Sequence, residues 1–155
     1  MLLDLLRFVN LFTWAIVSGV VVCVLMNAIP AMGRLTPAES VRVHQAMLTD
    51  LLDRYMPALN ITSNVAAILI LIFFFRDLTT VAIAFYAVGL VVGLLLSIPA
   101  AAYKIPTNRA LAKLEPGVVP ADYAQTRQRW DRIHVVQTSA ALVALACFII
   151  AALAR

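Results

Sequence analysis

Four long runs without a charged side chain constrain this chain more than any other feature. No Asp, Glu, Lys or Arg occurs in the 26 positions between Arg7 and Arg34, the 21 between Arg54 and Arg76, or the 26 between Asp77 and Lys104. A fourth run of 20 positions follows His134 and ends before Arg155. A helix needs about 20 predominantly apolar residues to cross a bilayer core. The runs do not alternate in polarity, and an open sheet cannot sit in lipid with its edges unpaired. The expected fold is therefore all-α: an integral membrane four-helix up-down bundle in a single domain, residues 1–155. Only 13% of residues are charged, where a soluble domain carries about 25%.

The spans are expected at about 8–29, 57–75, 80–103 and 134–154. Thr36-Pro37-Ala38-Glu39 reads as a helix start: threonine caps, proline takes the first helical position, and glutamate closes a capping box. From it an amphipathic extension is expected at about 37–56, continuing into span two through a kink at Pro57. A second extension, about 120–133, precedes span four. Both should stand beyond the bilayer on the side of the long loops. Lys104 to Arg109 reads as the start of a loop, with a turn at Glu115-Pro116-Gly117. The small residues Gly89, Gly93 and Ser97 form a ridge at spacing four, suited to close helix packing. Internal packing is the favoured use; a homo-oligomer or larger membrane complex through the same ridge is the alternative.

The net charge of +4 has a membrane explanation and no nucleic-acid one. Nine Lys and Arg fall in the first and third loops, against three on the other face. The positive-inside tendency then puts the long loops in the cytoplasm and both termini outside, in the plasma membrane. The start Met1 to Arg7 is a poor signal peptide, since the apolar run behind it is too long for a cleaved core; a retained span is expected. Cys23 and Cys147 fall at different depths, so buried free thiols are expected rather than a disulfide.

The candidate chemistry gathers at the mouth of the last span. Tyr123, Arg127, Trp130, His134 and Gln137 recur at helical spacing and form one stripe. His44 shares a face with Leu48, Leu51 and Tyr55 on the other extension. Asn108 belongs to the third loop at the same level, and Asn60 to the start of span two. A cavity between bundle helices is a usual ligand place. His134, His44 and Asn108 are the expected catalytic groups. Trp130, Arg127, Gln137, Asn60 and Tyr55 are the expected substrate contacts. Trp130 at a boundary also suits an aromatic-belt anchor, and Arg129 and Arg132 suit headgroup anchors. Two histidines suit copper, iron or a haem, but two ligands do not make a site, so the cofactor stays open, none included. There is no Gly-rich phosphate loop, and the spans hold no acid for an ion path.

Ile105-Pro106-Thr107-Asn108-Arg109-Ala110-Leu111 and Trp130-Asp131-Arg132-Ile133-His134 resemble motifs of the anthrone oxygenase-like family of small four-span membrane proteins. The similarity covers the layout of the whole chain. It implies an oxidoreductase, a monooxygenase acting on an apolar aromatic or quinone-type molecule, with Asn108, Trp130 and His134 on the family's polar positions. The family pattern places an arginine three residues after the histidine; here that residue is Gln137, a neutral amide without a guanidinium's charge. The competing class is a non-catalytic accessory subunit or a hydrophobic-ligand-binding module.

Overall fold

The computed structural model describes residues 1–47, 55–115 and 117–154. Among them the chain is helical without a strand. Helix α1 (Leu2–Cys23) passes through a π-turn (Val24–Ala28) into α2 (Ile29–Met32). Helix α3 is Pro37–Met47 and α4 is Met56–Phe73. Helix α5 (Thr80–Pro99) passes through a second π-turn (Ala100–Lys104) into α6 (Ile105–Ala112), and α7 is Tyr123–Leu153.

Four helical stretches are long and apolar enough to cross a membrane: Leu2–Met32, Met56–Phe73, Thr80–Ala112 and Tyr123–Leu153. Only 28–33% of each apolar window is buried within the chain. The rest displays side chains such as Phe8, Phe12, Ile72, Phe73, Leu95 and Val143. A soluble monomer does not leave apolar surface exposed on this scale; lipid covers it.

The expected boundaries change in three places. Span one does not stop at Pro30, because the proline sits in the first turn of α2, just after the π-turn has broken the regular bonding. Residues 104–109, read as loop, are helical. Pro106 falls in the first turn of α6, where a missing N–H costs nothing, and Pro99 is followed at once by the π-turn. The last helix begins at Tyr123, three residues after Pro120. The expected continuity of residues 37–56 with span two lies partly outside the described residues, as do Leu48 and Leu51 of the shared face.

The capping box at Thr36 forms as the sequence indicates. Thr36 N–H donates to Glu39 Oε2 at 2.9 Å, and Glu39 N–H donates to Thr36 Oγ1 at 3.4 Å. The Thr36 hydroxyl adds a bond of 2.6 Å to the same carboxylate and, with the N–H, holds the Glu39 carboxyl below the usual carboxylate range. At the other end of the bundle, Thr79 Oγ1 accepts from Ala82 N–H at 3.2 Å and starts α5. Gly117, with φ 87°, supplies the left-handed residue of the turn before α7.

The four long helices form a ring in which α1 packs on α4 and α7, and α5 packs on α7 and α4. Neighbours run antiparallel. Along α1, Trp14 Nε1 reaches Ala141 O at 2.9 Å, His134 meets Val21 O, and Arg127 meets Met32 O. Near the termini the interior is tightly filled. Trp14, Tyr86 and Phe148 have no exposure, and Trp14 meets Phe148 edge-on at 5.5 Å. Asn10 Nδ2 donates to Ser63 Oγ at 2.9 Å and to Ser63 O at 3.0 Å, which ties α1 to α4, while Asn10 Oδ1 has no partner among the described residues.

The small-residue ridge is consumed here. A Cβ on Gly89 would lie 2.7 Å from the Phe148 ring, and one on Gly93 would lie 2.8 Å from both Trp14 and Asn64 Oδ1. The ridge therefore packs α5 onto its own neighbours, and its glycines leave no room for a partner chain. Cys23 and Cys147 are both free thiols, Cys147 buried and Cys23 exposed.

Candidate functional site

At the opposite end of the ring the filling stops. A half-enclosed cavity of about 300 Å³ lies between α1, α4, α5 and α7, at the small end of the usual range for ligand sites. Its apolar lining includes Val17, Val20 and Val21 of α1, Val24 of the first π-turn, and Ala100 and Ala101 of the second. Its exposed rim carries Ile61 of α4 with Ser97 and Ala101 of the α5 side, so it opens between α4 and α5. Both π-turns reach the cavity, through Val24 and through Ala100, Ala101 and Lys104. A π-turn adds one residue to a helical turn and re-aims the side chains around it, which is why such turns recur at functional sites.

The polar wall is built around Lys104. Its Nζ lies 2.7 Å from His134 Nδ1 and donates to Gln137 Oε1 at 2.9 Å. It also stands 4.0 Å above the Trp130 ring, a cation–π contact. His134 Nε2 lies 2.9 Å from the Val21 carbonyl. A carbonyl only accepts, so Nε2 carries the proton, and the neutral ring presents Nδ1 as acceptor to Lys104; the tautomer follows from these partners. Thr138 Oγ1 also reaches Val21 O, at 3.3 Å. Gln137 is used at both ends, its Nε2 donating to Leu96 O at 3.3 Å. Trp130 Nε1 donates to Asn108 Oδ1 at 3.1 Å, and the indole stacks on His134 with centroids 5.0 Å apart and 3° between planes. Asn60 Oδ1 accepts from Asn64 Nδ2 at 2.8 Å and from Ser97 Oγ at 3.5 Å.

Of the residues that the sequence nominates, the fold brings Asn60, Asn108, Trp130, His134 and Gln137 to one cavity. Three stand elsewhere. His44 is buried but is not part of the lining; it packs edge-on against Trp130 at 5.0 Å and so props the indole from behind. Arg127 lies on the expected stripe but bends away from the cavity. Its Nη1 donates to Met32 O at 2.8 Å and Ser40 Oγ at 3.4 Å, its Nη2 donates to Ile29 O at 3.5 Å, and Asp131 flanks it at 3.7 Å. It clamps the carbonyls at the C-terminal end of α2, a favourable place for a cation, and is not a substrate contact. Tyr55 is 54% exposed and outside the lining.

A metal shared by His44 and His134 does not fit these donors. Both nitrogens of His134 are already engaged, and among the described residues no group of three His, Cys, Asp or Glu converges. Metal ligands in proteins come in larger sets.

Lys104 is the residue that sequence reasoning missed. The signal was present: Ser97, Ala101, Lys104 and Asn108 recur at four, three and four, one face of a continuous helix. Pro99 and Pro106 disguised that face as a loop. No protein-family model, curated protein or solved structure matches this chain.

Proposed function

We propose that the protein is a membrane-embedded oxygenase-like enzyme acting on an apolar aromatic or quinone-type small molecule in this cavity. The observation that carries the reading is the cavity itself: an apolar chamber open between α4 and α5, with its polar groups gathered at Lys104, His134 and Gln137. An apolar substrate enters from the bilayer through that gap. Its acidic C–H, activated by a neighbouring ring carbonyl, lies against the polar wall. When Lys104 turns to the substrate, His134 Nδ1 is released as a base and takes the proton. The carbon's electron pair then adds to dioxygen. The resulting peroxide anion takes the proton back from His134 to become a hydroperoxide, which breaks its O–O bond and second C–H bond and leaves as a carbonyl compound and water. In balance, one CH₂ and one O₂ give one C=O and one H₂O. Long loops in the cytoplasm and both termini outside, in the plasma membrane, are part of the same proposal, on the strength of the basic loops.

The second reading is a hydrophobic-ligand-binding module or accessory subunit. It is favoured by one observation: His134 offers no free nitrogen at rest. Dioxygen uptake with anthrone as substrate separates the two. The full chain in detergent should consume dioxygen faster than protein-free micelles, and Ala101→Trp, which fills the rim of the cavity, should reduce uptake to the micelle background. If the two proteins give identical rates while anthrone still binds, the enzyme reading fails and the binding module stands.

A further inference from the structure

We infer that the cavity selects a lipophilic monoanion, a phenolate or carboxylate on an apolar body, and that the Lys104 ammonium is the group that binds its anionic oxygen. The inference rests on the cavity being a small-molecule site and is independent of the oxygen chemistry.

Direction is the first argument. A lysine at the end of a span ordinarily extends its ammonium toward the headgroups. Lys104 is turned the other way, bonded to His134 and to Gln137, which lies one turn deeper along α7. Charge is the second. Both acceptors are neutral. No ion pair includes Lys104 among the described residues: the pairs are Met1 with Asp4 and Arg127 with Asp131. A charge removed from water is normally paired; here the opposing charge is Asp131, which acts on Lys104 from beyond ion-pair distance and is itself shared with Arg127. An ammonium has three donors; two are spent, and the third remains with the charge at the cavity wall.

Elimination is the third argument. The other polar groups of that wall point their hydrogen bonds into the protein. His134 Nε2 is held by Val21, Gln137 Nε2 by Leu96 and Trp130 Nε1 by Asn108. Asn60 also lines the cavity, but its amide is neutral; Lys104 is the lining residue that brings a positive charge to a ligand. The indole beneath it, stacked on His134 and braced by His44, is a rigid apolar floor for the ligand body.

Three probes test this on the full chain in detergent: 2-hydroxyanthraquinone, whose colour changes on ionisation; anthraquinone, the same body without the acid; and palmitate as competitor. The wild type should bind the hydroxylated probe at least about tenfold more tightly than anthraquinone, with the phenolate colour. Lys104→Met should lose that preference and the colour while keeping anthraquinone binding, which also checks its fold. Lys104→Arg should retain both. Competition by palmitate that disappears in Lys104→Met supports the same site and identifies a carboxylate as its natural occupant; a preference confined to the phenol identifies a phenolate. Equal affinity of the wild type for the two quinones, or a phenolate colour that survives in Lys104→Met, overturns the inference and leaves the small-molecule site intact. Anthraquinone binding that is the same in wild type and Ala101→Trp removes the small-molecule site and the inference together.

Discussion

The two halves of the bundle use the same four helices and reach opposite results. In the terminal half, glycine faces ring: Gly89 receives Phe148 and Gly93 receives Trp14, and Trp14, Tyr86 and Phe148 have no exposure. In the other half, Val17, Val20, Val21 and Val24 and, on the α5 side, Ser97, Ala100 and Ala101 border a chamber of about 300 Å³. Pairing large with small fills a core to native density; the chamber is where that filling stops. The π-turns at Val24–Ala28 and Ala100–Lys104 both fall in the open half. The closed half is filled, and the open half keeps a chamber.

That contrast can be broken from the closed side. Trp14→Ala should have the largest effect, about 3–5 kcal/mol of lost stability from the cavity left in the core, read as a fall in the thermal midpoint in detergent. It also removes the indole bond to the Ala141 carbonyl and leaves that oxygen to the Ser18 hydroxyl at 3.4 Å. A midpoint equal to wild type would mean that the closed half is not the stabilising one. Gly89→Ala comes next. Its Cβ would lie within 3 Å of two Phe148 ring atoms, and overpacking of this kind costs about 1–3 kcal/mol. If instead the variant were neutral and altered the oligomeric state, the ridge would be serving a partner chain after all.

The smallest effect lies outside the spans. The Glu39 carboxyl is held below its ordinary range by the Thr36 hydroxyl and N–H. Its contribution is therefore fully present above the unfolded carboxylate pKa and is lost as pH falls through the lower folded value. Thr36→Ala should lower the midpoint slightly at neutral pH, and the gap to wild type should close on acidification. A gap independent of pH would show that the cap acts without its carboxylate.

The helices were legible in the sequence because charge-free runs of about 20 residues have few alternatives in a bilayer. The capping box at Thr36 was legible because its two bonds are local. Helical spacing also put Trp130, His134 and Gln137 on one face. What spacing does not encode is the direction a long side chain takes once packed. Arg127 and His134 lie on one stripe, yet the guanidinium reaches back to the α2 carbonyls while the imidazole turns to Lys104. His44 was correctly placed on an inward face, but Trp130 stands between that face and the cavity lining. Lys104 was hidden because prolines read as breaks, and the π-turn that reconciles Pro99 with a continuous helix has no signature in composition.

The π-turn at Ala100–Lys104 has a consequence in terms of genes as well as geometry. A π-turn takes up one residue more than an α-turn for about the same rotation. Deleting one codon among Ala100, Ala101 and Ala102 would therefore let the helix close into regular α bonding with Lys104 and Asn108 still facing the chamber. A second codon lost from the same place would have no π-turn to absorb it: everything beyond would rotate by about 100° relative to α5, and Lys104 and Asn108 would leave the chamber together. The π-turn thus gives the gene one residue of slack on the polar wall, and no more.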